Sequence, residues 1–323
     1  MATYKEIRGV NIQSLDSDPT AVEGEVWYNA STSKLKMFAA AASWATGNNL
    51  PAVMVKNAGA GTQTAAIVFG GLDADGVADE SYTYDGTNWT DIGAMANNRQ
   101  MLGGCGTSTA ALGASGYTVG DHGADTEEWD GSSWTETANL GTARYGGHCA
   151  GTQTAALCIT GNTYPGPETA DVELYNGSSW TQIADVNSSR RQLASAGTST
   201  AAIAIAGNNG GSDSALVESW NNTAWTEVAD LNTARDALAG DGTSTLAIVT
   251  GGHATATTNI TEQWDGTSWT EIADMSTARW GISGAGNTTA LVAMGGFKPP
   301  GNTASDLTEE FTVAAAVETV AVD

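Results

Sequence analysis

Positive charge is scarce in this 323-residue chain. Twelve Lys and Arg stand against 36 Asp and Glu, giving a formal charge of −24. That field repels phosphate backbones and excludes nucleic-acid binding through a basic face. No run of 18 apolar residues occurs, so no membrane span is expected. The opening MATYKEIRGVNIQSLDSDPT has no apolar core of about 7–15 residues, so no ordinary secretory signal is expected there. Cysteine is limited to Cys105, Cys149 and Cys158, an odd number and too few for a disulfide framework. They read as small buried residues of a chain made in a reducing compartment. The three histidines, His122, His148 and His253, have no metal-ligand spacing, and neither metal nor cofactor is expected. Compositional disorder is excluded by 41% hydrophobic residues and 11 Trp.

What the chain does have is repetition. GTQTAA or a near copy begins at Gly61, Gly106, Gly151, Gly197, Gly242 and Gly286, at intervals of 44 to 46 residues. A second phrase, such as DGTNWT or NGSSWT, recurs with the same period and carries Trp89, Trp134, Trp180, Trp225 and Trp269. Trp44 lies 45 residues before Trp89 and extends the series backward. An Arg recurs once per unit as Arg99, Arg144, Arg190 or Arg191, Arg235 and Arg279, and is missing from the first.

Each unit reads as four short strands. A small-residue strand such as 145–150 precedes the Gly-Thr turn, and an apolar strand such as 65–69 or 201–206 follows it. A third strand ends in Tyr84, Trp129, Tyr175, Trp220, Trp264 or Phe311. The next D-G or N-G pair predicts a two-residue hairpin with φ > 0 at both turn positions. The repeated Trp opens the fourth strand. Four antiparallel strands per period predict an all-β fold, a six-bladed β-propeller over residues 41–313. The last copy lacks a fourth strand after Phe311. Residues 41–46, around Trp44, are expected to supply it beside 308–313, covering two sheet edges. Residues 314–323 form a short tail.

Gly70-Gly71, Gly251-Gly252 and Gly295-Gly296, each followed by the aromatic and then the Trp, resemble the kelch repeat. The double Gly is incomplete in the second, third and fourth copies. Residues 1–40 contain EVWYN, a polar turn and KLKMF, a hairpin that resembles a module of bacteriophage tail and appendage proteins. With the SWATGNNL and GTQTAA phrases, the chain resembles kelch-type structural proteins of marine tailed phages. The resemblance implies a non-enzymatic virion protein assembled in the host cytoplasm. Residues 1–40 would then attach it to other virion proteins, through Val26, Trp27, Tyr28, Leu35, Met37 and Phe38. An alternative implication is a module that binds host-surface glycan or receptor; a propeller enzyme is the last alternative.

Chemistry needs unlike groups that break the repeat. The variable segments all join second and third strands, so a propeller projects them from one face. They carry Tyr117, His122, Tyr164, His253 and Phe297, the candidate ligand-binding residues. The repeated Arg reads either as an anion-binding circle or as a bond to carbonyls and acids within each unit; the repetition favours the latter. Many of the acids sit at repeated strand-edge positions, among them Glu128, Glu136, Glu173, Glu218, Glu227, Glu262 and Glu271, and read as a solvated, edge-protecting surface. Asp73–Glu80 offers alternating carboxylates to Ca²⁺ but lacks a full binding loop, which favours a solvated loop.

Overall fold

The computed structural model describes residues 13–19, 26–163 and 165–319. Tyr164 therefore lies outside the described residues, as does the Phe38 side chain. The chain divides into two units. One holds Met1–Ser43 with Thr312–Asp323, and the other is Trp44–Phe311.

The described residues contain strands and no helix. In the larger unit, five sheets have four antiparallel strands each, in simple inner-to-outer order. The first is Ala58–Thr62, Ala65–Leu72, Val77–Tyr84 and Trp89–Ala94. The sixth takes Ser283–Asn287, Ala290–Met294 and the start of the strand Thr308–Thr319 from one end of the sequence and the end of the strand Lys34–Thr46 from the other. Within this unit Gly47 N donates to Thr308 O at 2.9 Å, and the Trp44 and Phe311 rings sit 5.4 Å apart. The inner strands neighbour one another in a closed cycle, from the strand at Ala58 through those at Gly103, His148, Ala194, Ala239 and Ser283 and back. This is a β-propeller architecture, in which the apolar second strands are covered on both faces by neighbouring sheets.

The core lies between sheets. Ile67 and Phe69 of the first pack with Ala111 and Trp129 of the second. Leu157, Ile159 and Val172 of the third pack with Ala202 and Trp220 of the fourth. Each fully buried large apolar side chain contributes about 1.5–3 kcal/mol. Near the axis the strands approach too closely for side chains: a Cβ on Gly104 would come within 2.9 Å of the Phe69 ring. Every sheet carries one aromatic pair where its outer strands meet, from Tyr84–Trp89 at 4.7 Å to Trp129–Trp134 at 5.7 Å. The indole N–H of each repeated Trp donates into or just past the preceding sheet. Trp44 reaches Ala273 O, Trp89 Asn48 O, Trp134 Ser81 Oγ, Trp180 Thr126 Oγ1, Trp225 Ala184 O and Trp269 Ala229 O.

The turn before each Trp differs from the two-residue hairpin read from D-G. Four residues separate the strands, and Gly86 has φ +87° while Asp85 is not among the positive-φ residues. Asp85 Oδ1 instead accepts from Thr87 N and Asn88 N at 2.8 and 2.7 Å. This Asx turn makes the acid, rather than a primed backbone, the organiser of the loop. Asp130, Asn176, Asn221 and Asp265 repeat it.

The repeated arginines are buried. Arg99, Arg144, Arg190, Arg235 and Arg279 are each 0% exposed and pair with Glu127, Glu173, Glu218, Glu262 and Glu309 of the following sheet at 2.5 to 3.1 Å. Arg190, not Arg191, is the member from its pair. The expected solvated surface is thus wrong for Glu173, Glu218 and Glu262, which are interior counter-ions, whereas Glu136, Glu227 and Glu271 are exposed. Burial pulls the guanidinium pKa of Arg99, Arg235 and Arg279 down, and the facing Glu opposes it. The other oxygen of each Glu accepts a backbone N–H three residues before the Arg: Ala96, Gly141, Asn187, Asn232 or Ser276. The first sheet substitutes a matched set. Met54 stands at the Arg position, Tyr82 at the Glu position, and Pro51, without an N–H, at the donor position; Met54 and Tyr82 share one apolar cluster.

In the smaller unit, Gln13–Leu15 pairs parallel with Val26–Asn29, which pairs antiparallel with Lys34–Thr46. The register sets Tyr28 opposite Leu35 and Trp27 opposite Lys36. Trp27 is fully buried, its Nε1 donating to Asp18 at 3.2 Å, and Tyr28 is 40% exposed. Val26, Leu35 and Met37 are half-buried. Asp18 also accepts from Asn29 Nδ2 and pairs with Lys36 at 3.0 Å, and these bonds hold its carboxyl below the usual range.

Candidate functional site

Two residues beyond each repeated Arg the backbone turns left-handed. Lys56, Met101, Gly146, Gln192, Ala237 and Gly281 have φ between +50° and +69°. Each of these N–H groups donates to the carbonyl of the preceding member: Met101 to Lys56, Gly146 to Met101, Gln192 to Gly146, Ala237 to Gln192, Gly281 to Ala237 and Lys56 to Gly281. The six bonds, 2.5 to 2.8 Å long, close a circle around one mouth of the ring.

Beside that circle lies a second one made of side chains. The residue after each Arg forms a backbone bridge with the residue after the Gly-Gly position. The pairs are Val55–Leu72, Gln100–Tyr117, Tyr145–Asn162, Arg191–Asn208, Asp236–His253 and Trp280–Phe297. Backbone geometry repeats here six times, and no side-chain pair recurs.

The structure gathers the candidate residues into two clusters on this rim. Tyr117 and His122 face each other in a short hairpin, their rings 5.5 Å apart, and Tyr145 packs on both at 5.9 and 5.0 Å. Phe297 lies 4.8 Å from Trp280, which meets His253 at 6.2 Å. Lys56 Nζ stands over Trp280 and Phe297 at 5.7 and 5.9 Å, and burial pulls its pKa down. Between the clusters, Arg191 Nη1 donates to Tyr145 Oη at 3.3 Å and faces Glu168 at 3.5 Å. Asp236 sits beside His253. Burial and then the nearby Asp213 raise its pKa to about 6, while His253, Asn208 and Arg191 lower it. A cavity of about 210 Å³ opens among Gln192, Asp236, His253, Trp280 and Asn302. The rim thus offers stacking faces, donors, acceptors and both signs of charge in one fixed circle.

Sequence reasoning overlooked Lys56, Tyr145, Asp213, Asp236 and Trp280, and left Arg191 only as an alternative to Arg190. The signal for several was present: the position after the repeated Arg reads Gln, Tyr, Arg, Asp and Trp in successive copies. Spacing along the chain gave no metal set, yet folding brings Asp213, Asp236 and His253 together.

The axis itself is lined by small residues, with polar groups at few points. His148, Ser195 and Asp241 border an axial cavity of about 120 Å³. Ser195 Oγ donates to Cys149 O at 3.1 Å, which assigns the proton of the 2.7 Å His148 contact to Nδ1. Burial lowers the His148 pKa to about 4, so the ring is neutral at pH 7. Asp241 accepts from Gly242 N and Gly286 N; its position deep in the ring raises its pKa to about 6 despite an opening to the cavity. These contacts do not form a relay, because the Ser proton points at a carbonyl and the carboxylate binds backbone. Asp73 likewise turns Oδ1 inward on Asp75 N and Gly76 N, as a self-capped loop.

Fold and rim together define a β-propeller protein. The solved structure of YjhT superposes with a TM-score of 0.69, covering 84% of this chain and 99% of that chain at 13% identity, a likeness of fold. No protein-family model matches the sequence, and no curated protein matches it.

Proposed function

We propose that this is a non-enzymatic, kelch-type propeller of a tailed-phage particle, and that its rim binds host-surface glycan. The observation that carries the binding reading is the rim. Six equivalent backbone bridges bear six different side-chain pairs, beside a core in which Arg, Glu and Trp barely change. A purely structural ring needs no such divergence, whereas recognition by loops on a rigid scaffold does. Trp280, Phe297, Tyr117 and Tyr145 supply the flat apolar faces on which sugar rings stack. Arg191 and Gln100 supply hydrogen-bonding groups that fix hydroxyls. The non-enzymatic reading is supported by Ser195 and Asp241 of the axis being engaged with backbone.

The virion reading rests on the leader and repeat phrases. Its attachment surface is assigned to residues 1–40, where exposed Tyr28 faces Leu35 across the strand pair. Binding of the full chain to arrayed bacterial-surface glycans tests the rim, with Trp280→Ala and Tyr117→Ala each expected to reduce the signal at least tenfold. No glycan bound above background, or binding indifferent to both changes, refutes the rim reading. Absence of the chain from purified particles by mass spectrometry refutes the virion reading.

A further inference from the structure

We infer that Asp213, Asp236 and His253 form a site for a divalent transition-metal ion of the zinc class. One ligand atom of each residue lies within 4.8 Å of those of the other two, close enough for small side-chain rotations to bring all three onto one ion. Three separate backbone segments deliver them. Asp236 and His253 are locked opposite each other by two bonds, Asp236 N to His253 O at 2.9 Å and His253 N to Asp236 O at 2.8 Å. Asp213 comes from the strand Ser212–Trp220 of the adjacent sheet, in register with Asn208. The donors are therefore held by two sheets before any ion arrives, the preorganisation that metal affinity requires.

The set also breaks the repeat. At the Asp236 position the other copies place Val55, Gln100, Tyr145, Arg191 and Trp280, and at the His253 position Leu72, Tyr117, Asn162, Asn208 and Phe297. No other pair couples an imidazole with a carboxylate, so repetition of the scaffold does not account for it. One imidazole and two carboxylates suit zinc or manganese rather than calcium, which takes oxygen ligands. Two carboxylates balance a dication, and Arg191, whose charge acts on Asp236, is partly neutralised by Glu168. The cavity of about 210 Å³ at Asp236 and His253 leaves room for further ligands, water or a ligand hydroxyl. Three protein donors and an open position are the pattern of an ion that meets a ligand, not of a closed structural site.

The test is titration of the purified full chain with zinc chloride, followed by calorimetry and by the shift in thermal unfolding. One ion per chain is expected, with affinity falling at least tenfold in each of Asp213→Asn, Asp236→Asn and His253→Gln. Glu227→Gln, on the exposed outer strand Trp225–Glu227, is expected to bind as the parent does. Circular dichroism of each variant without zinc verifies folding, and two correctly folded weak binders among the three suffice. No saturable zinc or manganese binding overturns the inference, as does binding lost only with His253, or binding of calcium in preference to zinc. The site stands apart from the glycan reading: zinc can bind with no sugar on the array, and sugar can bind with zinc removed by chelator.

Discussion

The first sheet supplies a natural control for the buried ion pairs, and it can be copied into the second. Arg99→Met alone leaves the Glu127 carboxylate, 0% exposed, without its counter-ion. An uncompensated buried charge costs about 3–5 kcal/mol. Glu127→Tyr alone strands the guanidinium, which keeps only the carbonyls of Ser115 and Asp125 at 2.9 and 2.6 Å. It is expected to cost a similar amount. The double variant recreates the Met54–Tyr82 pair and removes both charges. It still orphans Ala96 N–H, which donates to Glu127 at 2.6 Å, at about 1–3 kcal/mol. Adding Ala96→Pro, as at Pro51, is expected to return stability to within about 1 kcal/mol of the parent, since apolar replacement of a buried pair is often neutral. Urea unfolding followed by tryptophan fluorescence measures each step. The reasoning is refuted if Arg99→Met costs less than about 1 kcal/mol, or if the triple variant is no more stable than that single one.

Two further predictions concern closure and pH. Trp44→Ala removes the ring contact with Phe311 and the 2.9 Å bond to Ala273 O, and is expected to destabilise the larger unit by about 3–5 kcal/mol in urea unfolding; an unchanged midpoint argues against strand 34–46 closing the sixth sheet. Asp241 has a folded pKa of about 6, above the usual carboxylate value near 4, so its ionisation opposes folding. The penalty is absent below about pH 4, grows between about 4 and 6, and is complete above 6. Asp241 Oδ1 and Oδ2 each accept a backbone N–H and an amide offers one acceptor, so Asp241→Asn loses one bond at either pH, at about 1–3 kcal/mol. Relative to the parent it is expected to fare about 2 kcal/mol better at pH 7 than at pH 4; equal effects at both pH values refute this.

The all-β propeller class was legible because its cause is local and repeated. Turn glycines, apolar second strands and the aromatic–Trp couple recur with one period, and each is explained by its own unit. What was not legible depends on neighbouring units meeting. Glu173, Glu218 and Glu262 look like surface acids in their strands, and only the Arg arriving from the preceding sheet makes them interior. The incomplete double glycine has a similar explanation: Ser115, Thr160 and Ala206 hold φ of +63°, +57° and +60°, as Gly70 does at +61°. The backbone demand is constant, and three copies meet it with strained side-chain-bearing residues. At the rim, Tyr117, His122, His253 and Phe297 were found from loop variation. Their partners escaped because Tyr145, Asp236 and Trp280 follow the repeated Arg and read as part of the scaffold.

The circle of six backbone bonds at the mouth has one further consequence. Its donors all run the same way round, so the circle has no first or last member and each bond fixes the angle of the next. A substitution that disturbs the backbone at one member therefore bears on both of its neighbours at once, whereas the side chains of the twelve bridge positions stand outside the circle and can differ from copy to copy without opening it.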